Sequence, residues 1–166
     1  MLKQLFYSGP SIGVLHEEYA KKGRIDEMAP ITTAYEVRIE TPVERVWELL
    51  SAPPDWETFA PDIHDVHLDS GVKADARFTW SNGKVRMESR FAVVDAAREI
   101  TWTGAVYGVK AVHRHVLEPT GDGGATQLLC EESMAGPLPS LFFNNAKLQA
   151  GLKKWLGALK TAAEER

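Results

Sequence analysis

The sequence contains a single cysteine, Cys130, in 166 residues, so no disulfide can form within the chain. Structural disulfides belong to oxidising compartments, and a lone cysteine fits the cytoplasm. Acidic residues outnumber basic ones, 23 to 19, so the chain lacks the excess of basic residues that is typical of a nucleic-acid-binding domain. No apolar run reaches the roughly 20 residues that span a bilayer, and the first residues lack the features of a secretory signal. We therefore expect a cytoplasmic protein with no nucleic-acid partner and no membrane span.

What the sequence does contain is typical of one globular domain. Apolar residues make up 44% of the chain, which at this length is enough for a substantial core. Near the N-terminus, apolar residues at helical spacing predict a short helix that ends at Gly23. We divide the chain into an N-terminal arm, residues 1–28, and a single domain, residues 29–166.

Alternating apolar and polar residues predict a series of strands from Ile31 onwards. The first strand ends before Thr41-Pro42, where Thr41 is the expected N-cap of a short helix. A second short helix precedes Pro61. The following strands are joined by hairpin turns such as Asn82-Gly83, because this dipeptide readily adopts positive φ.

The C-terminal region, Leu138 to Arg166, is predicted to be one long helix. Leucines and Trp155 recur at helical spacing, and lysines lie towards the other side. Such a helix needs a large apolar surface to cover it, which an antiparallel sheet supplies. The order of elements indicates an α+β domain.

Polar side chains fall on the inner, apolar faces of the last two strands. By alternation His113 and His115 share a face, and Glu132 lies on the corresponding face of the next strand. The pair His113 and Glu132 is either a buried structural pair that satisfies itself or an acid/base pair in a pocket. Two histidines and a carboxylate could also hold a metal ion.

The same inner face combines aromatic side chains with small residues. The aromatic residues would by default form core, but Gly104 and Ala111 opposite a long helix leave volume for a cavity. Trp56 and Phe59 would stand at its opening. The residues expected to contact a ligand are Tyr35, Trp56, Phe59, Phe78, Trp80, Met87, Phe91, Trp102, His113, His115, Glu132 and Met134.

From Asp26 to the C-terminus the chain resembles the START-like (SRPBCC) superfamily, most closely its polyketide cyclase/dehydrase branch. The residues that carry the resemblance are Ala29-Pro30-Ile31, Thr41-Pro42, Val46-Trp47, Leu50, Trp56, Trp102-Thr103-Gly104, Ala111-Val112-His113, Leu117-Glu118-Pro119, Glu131-Glu132-Ser133 and Gly136. The resemblance implies a helix-grip fold: a curved antiparallel sheet of six to seven strands around a long C-terminal helix, with two short helices after the first strand.

The resemblance also implies a cavity between sheet and helix, but no particular reaction. Relatives bind lipids, sterols, hormones or polyketides, and only some of them catalyse. No cofactor and no metal site is implied. We hypothesise that the chain binds a small hydrophobic ligand. The alternative is a polyketide cyclase, aromatase or dehydratase in which His113 and Glu132 are the acid/base pair. A homodimer is left open.

Overall fold

The computed structural model describes residues 12–136 and 144–165. In this part of the chain, seven antiparallel strands form one sheet in the order β1-β7-β6-β5-β4-β3-β2. The predicted antiparallel sheet of an α+β domain is thus confirmed. The strands are β1 Ile31–Ile39, β2 Ile63–Leu68, β3 Arg77–Asn82, β4 Val85–Asp95, β5 Glu99–Val106, β6 Val109–Thr120 and β7 Ala125–Ala135.

Four α-helices accompany the sheet within the described residues. They are α1 Ile12–Lys21, α2 Val43–Leu50, α3 Trp56–Phe59 and α4 Asn145–Glu164. The two short helices, α2 and α3, separate β1 from β2 as predicted, with a 3₁₀ turn at Pro53–Asp55 between them. The long helix α4 buries a stripe of leucines in the same core as the apolar face of the sheet.

The long helix begins later than predicted. Asn144 has an extended backbone, with φ −143° and ψ 168°, and its side chain accepts a hydrogen bond from the backbone N–H of Lys147. It is therefore the N-cap of α4, and a helix that runs without interruption from Leu138 is wrong. The predicted first turn, residues 138–143, lies outside the described residues.

Thr41 joins three elements instead of capping one. The residue before α2 is Pro42, and α2 has no side-chain cap. The Thr41 hydroxyl donates to the carbonyl of Ala163 at the end of α4, 3.1 Å away, while the Thr41 carbonyl accepts from Thr126 of β7 at 2.8 Å. The predicted N-cap is wrong because the Thr41 hydroxyl is held by the carbonyl of Ala163 and does not reach the first turn of α2.

The N-terminal helix α1 packs on the outer face of the sheet, against β4, β5 and β6. It ends before Gly23, as predicted, and Gly23 has φ +60°. A Cβ at this glycine would lie 2.6 Å from a carboxylate oxygen of Glu99, a side chain on the outer face of β5. The sheet is thus covered on its outer face by α1 and on its inner face by α4. The division of the chain at residue 28 stays a prediction.

Candidate functional site

The register of the sheet places one row of side chains across four strands. Phe91 of β4 pairs with Trp102 of β5, Trp102 with His113 of β6, and His113 with Glu132 of β7. Strand residues that are directly opposite one another project from the same face, so the row forms part of the inner surface that faces α4. The alternation along each strand determines which face of the sheet a side chain lies on. The pairing of β6 with β7 then places His113 opposite Glu132.

A cavity of about 810 Å³ lies between this surface and α4. Its volume falls within the range of small-molecule sites, and most of its lining is apolar or aromatic. The lining residues are Trp56, Ile63, Trp80, Asn82, Val85, Met87, Trp102, Gly104, Ala105, Val106, Tyr107, Val109, Ala111, His113, His115, Glu132, Met134, Lys147, Leu148, Gly151, Leu152 and Trp155.

His113 and Glu132 form the polar pair of the cavity. Nδ1 of His113 lies 3.3 Å from Oε2 of Glu132, and the residue Glu132 is only 2% exposed. The other oxygen, Oε1, has no hydrogen-bond partner among the described residues. An unpartnered, desolvated carboxylate oxygen is costly, so Glu132 depends on its contact with His113 for stabilisation.

The second ring nitrogen of His113 lies beside Gly104. A Cβ built on Gly104 would be 3.2 Å from Nε2 of His113 and 3.8 Å from the Cβ of Ala111. The absence of a side chain at position 104 therefore leaves the approach to Nε2 open. With Nδ1 directed at Glu132, Nε2 is the atom that His113 offers to a molecule in the cavity.

His115 has a different environment on the same strand. The indole N–H of Trp155 donates to Nε2 of His115 at 3.3 Å, and Sγ of Cys130 lies 3.3 Å from the same nitrogen. Burial, reinforced by the nearby His113, lowers the pKa of His115 to about 3. The imidazole is therefore neutral near pH 7 and accepts a hydrogen bond that anchors α4 to the sheet.

Burial also raises the pKa of the Cys130 thiol. A nucleophilic cysteine needs a depressed pKa and access to solvent, and Cys130 has neither because it is fully buried. The neutral thiol beside His115 thus acts as a small apolar residue of the core.

Aromatic rings build the wall around the polar pair. Trp102 stacks on His115 with centroids 4.6 Å apart and on His113 at 5.5 Å. Trp56 packs against Trp102 at 5.4 Å and against Trp155 at 5.1 Å, and so links the sheet to α4. The Trp56 indole donates to the carbonyls of Leu49 and Leu50 in α2. These contacts fix the orientation of both histidine rings.

Eight of the residues expected to contact a ligand line the cavity. They are Trp56, Trp80, Met87, Trp102, His113, His115, Glu132 and Met134. Tyr35, Phe59, Phe78 and Phe91 do not. Phe78 and Phe91 stack on each other at 4.6 Å within the core, Phe59 packs on Trp155, and the Lys153 ammonium lies over the ring of Tyr35. Ligand contact by any of these residues stays a prediction.

Several lining residues were not predicted from the sequence. On α4 they include Leu148, Leu152 and Trp155, which the helical pattern marks only as an apolar stripe. Val85 and Tyr107 come from hairpin tips, where the sequence signals a turn but gives no sign of a cavity beside it. The position of a turn in space depends on the twist of the whole sheet, which periodicity along one strand does not report.

Two further features of the described residues bear on the kind of site. Within the described residues, 12–136 and 144–165, no three His, Cys, Asp or Glu side chains come close enough together to bind one metal ion. Among the helices described, none has the length and apolarity needed to cross a bilayer.

Comparison with protein families identifies the class. Residues 30–164 match the family described as "Polyketide cyclase / dehydrase and lipid transport", and the chain belongs to this family. The match covers every strand and the helices α2 to α4. No curated protein matches the sequence closely enough to count as a relative.

Solved structures with the same fold share little sequence with this chain. The hypothetical protein jhp0584 from Helicobacter pylori is 19% identical with a TM-score of 0.72, over 83% of this chain and 90% of that one. A START superfamily protein from Mycobacterium smegmatis is 14% identical with a TM-score of 0.69, over 80% and 97%. The Zhui aromatase/cyclase from Streptomyces sp. R1128 is 17% identical with a TM-score of 0.65, over 80% and 93%. These likenesses show the START-like, helix-grip fold and nothing finer.

Proposed function

We propose that this protein binds a small apolar molecule, lipid-, sterol- or polyketide-like, in the cavity between the sheet and α4. The observation that carries the proposal is the cavity of about 810 Å³ with its largely apolar lining. Protein interiors are normally close-packed, with few voids larger than a water molecule. A cavity of this size is not needed for stability, so it supports a binding role.

In this proposal His113 is the polar anchor for the ligand. Its Nδ1 lies against the buried Glu132, while its Nε2 lies beside Gly104, where no side chain blocks the approach. A hydroxyl or carbonyl oxygen on an otherwise apolar ligand would hydrogen-bond to Nε2. The surrounding tryptophans would cover the apolar body of the ligand and supply most of the affinity.

The same geometry favours a second candidate, acid/base catalysis on a polyketide-like chain. A histidine oriented by a buried carboxylate can act as a general base. Nε2 of His113 would take a proton from a carbon next to a carbonyl group and later return it to an oxygen, while Glu132 stabilises the imidazolium. This is the chemistry of a cyclase, aromatase or dehydratase, with the cavity holding the reacting carbons close together.

The binding proposal is tested with a matched pair of fluorescent probes, phenanthrene and 9-hydroxyphenanthrene. We expect saturable binding of both, with the hydroxylated probe bound several-fold more tightly, because one hydrogen bond to Nε2 contributes about 1 kcal/mol. In the double variant H113L/E132L, which leaves no buried unpaired charge, the preference for the hydroxyl should disappear while phenanthrene still binds.

The exposed His67 supplies the control, since H67L changes a histidine that lies outside the cavity. This variant should bind both probes as the unmodified protein does. Failure of the unmodified protein to bind either probe would contradict an apolar binding cavity. An unchanged hydroxyl preference in H113L/E132L would contradict the role of His113 as the anchor.

A further inference from the structure

The exposed apolar side chains of the described chain gather at one end of the sheet. Met28 is 68% exposed, Val85 39% and Tyr107 89%, and these are the large hydrophobic residues that the described part of the molecule leaves most open. Met28 precedes β1, Val85 begins β4, and Tyr107 lies in the turn between β5 and β6. Because all neighbouring strands are antiparallel, these three positions share the same end.

The cavity reaches this end of the sheet as well. Its lining includes Val85 and Tyr107 on two hairpin tips and Lys147 in the first turn of α4. Asn145, also in that turn, accepts a hydrogen bond from the N–H of Thr32 near the start of β1. This contact fixes the beginning of α4 at the same end of the sheet. We name the two tips, residues 82–86 and 106–110, together with this first turn of α4 the cavity rim.

The cavity rim carries cations although the whole chain has a net charge of −4. Lys84 and Arg86 belong to the first tip and Lys110 to the second. No acidic residue occurs in either tip or in the first turn of α4.

Two acidic side chains near the rim, Asp62 and Asp65, have cationic or histidine neighbours. Asp62, which lies close to Gly83 through a backbone hydrogen bond, forms an ion pair with Lys154. Asp65 lies 2.8 Å from Nδ1 of His64. Glu27, beside Met28, is exposed and opposes the trend. The net charge of the rim is therefore positive.

We propose that the cavity rim docks on a lipid surface with anionic head groups. Single apolar residues on protruding tips, with cations between them, fit a bilayer interface, where an aromatic ring enters the head-group region and lysines meet the phosphates. Tyr107 suits this role because tyrosine combines an apolar ring with a hydroxyl that remains hydrated. Docking in this orientation would place the rim end of the cavity against the bilayer, so that an apolar molecule could pass between them without crossing water.

The experiment measures co-sedimentation with phosphatidylcholine vesicles, with and without phosphatidylglycerol. We expect binding to the anionic vesicles that weakens as salt is raised, because screening shortens the range of the attraction. K84Q and K110Q should each lower the partition coefficient about fivefold. The matched control is K73Q, which removes the same charge from the exposed connection between β2 and β3 at the opposite end of the sheet.

The apolar contribution is tested with Y107N. Tyr107 has φ +48°, a conformation that asparagine tolerates better than most residues, so the turn should be preserved. We expect weaker binding to both kinds of vesicle. No sedimentation with anionic vesicles, or sedimentation that K84Q, K110Q and Y107N leave unchanged, would overturn the proposal. Binding of an acidic protein in place of the vesicles would also overturn it.

The docking proposal and the ligand-binding proposal can be tested separately. Titration with phenanthrene in the absence of vesicles reports the cavity alone, and K84Q and K110Q should leave it unchanged because neither lysine lines the cavity. Probe binding without vesicle binding would contradict the docking surface only. Vesicle binding without probe binding would contradict the cavity only.

Discussion

At the scale of single residues, Gly104 decides how a ligand reaches His113. A Cβ at this position would lie 3.2 Å from Nε2, which is tighter than an ordinary contact. We expect G104A to weaken binding of 9-hydroxyphenanthrene several-fold while phenanthrene binding and the melting temperature change little. Fluorescence titration and thermal unfolding of the same preparation measure both. Unchanged discrimination between the two probes would show that the ligand does not use Nε2.

His115 makes the stability of the fold sensitive to acid. Its pKa is lowered from 6.5 to about 3 by burial, so between these values the unfolded chain binds a proton that the folded chain rejects. The stability contribution is complete above pH 6.5 and declines as the pH falls towards 3. We expect H115Q, which has no titrating group at this position, to lose less stability than the unmodified protein between about pH 7.5 and about pH 5.

Urea unfolding at the two pH values measures this difference, which should be about 2 kcal/mol. H115Q will be the less stable protein near neutral pH, because it disturbs the hydrogen bond from Trp155 and the stacking on Trp102. The comparison therefore concerns the change with pH and not the stability at either pH. An equal loss in both proteins would contradict the buried, neutral state of His115.

At the scale of elements, the long helix carries a glycine that its fold does not require. Gly157 of α4 is exposed, and an added Cβ would meet nothing within 4 Å. We expect G157A to raise the free energy of unfolding by about 0.5–1 kcal/mol, because alanine loses less backbone entropy in a helix. Gly83 provides the contrast: its site is equally open, but its φ is +57°, so G83A should lower stability. Stability changes of the same sign in both would contradict this explanation.

The elements were largely predictable from sequence because each depends on local periodicity and turn chemistry. The alternation in β4 and the Asn82-Gly83 turn led directly to the hairpin of β3 and β4. The start of α4 was not found, because a continuous apolar pattern concealed the N-cap at Asn144. Thr41 has the sequence of a cap but donates instead to Ala163, 122 residues away. Contacts of such long range leave no local signal.

The candidate site was predictable in part for the same reason. The alternation along each strand placed His113 and Glu132 on the same face of the sheet. In the structure the strand register pairs these two residues, and their side chains lie 3.3 Å apart. Alternation shows which face of the sheet a side chain points to, but not whether that side chain is covered by core packing or lines a cavity. Phe78 and Phe91 point inward and are covered by each other, whereas Trp102 and Met87 reach the cavity. The sequence marks Trp155 only as part of the apolar stripe of the helix, and its hydrogen bond to His115 brings it into the site.

At the scale of the whole molecule, the sheet and α4 close around a largely apolar space that extends to one end of the sheet. The polar pair lies on the inner surface, and the cations and exposed apolar residues lie at the rim. This separation of the polar pair from the rim fits the proposal that an apolar molecule enters past the rim and that the polar group of this molecule is held at His113. In these proposals the polar anchor is His113 and the docking lysines are Lys84 and Lys110, whereas Val85 and Tyr107 belong both to the cavity lining and to the rim.

Native mass spectrometry of freshly purified protein tests the proposed ligand cavity most directly. We expect a non-covalent adduct that is released by organic extraction, and the extracted molecule should be apolar with at least one oxygen. The adduct should be less abundant in H113L/E132L, because the anchor is lost while the apolar lining remains, and should be preserved in H67L. A chain that carries no adduct and binds neither phenanthrene nor 9-hydroxyphenanthrene would contradict the central claim that this cavity holds a small apolar ligand.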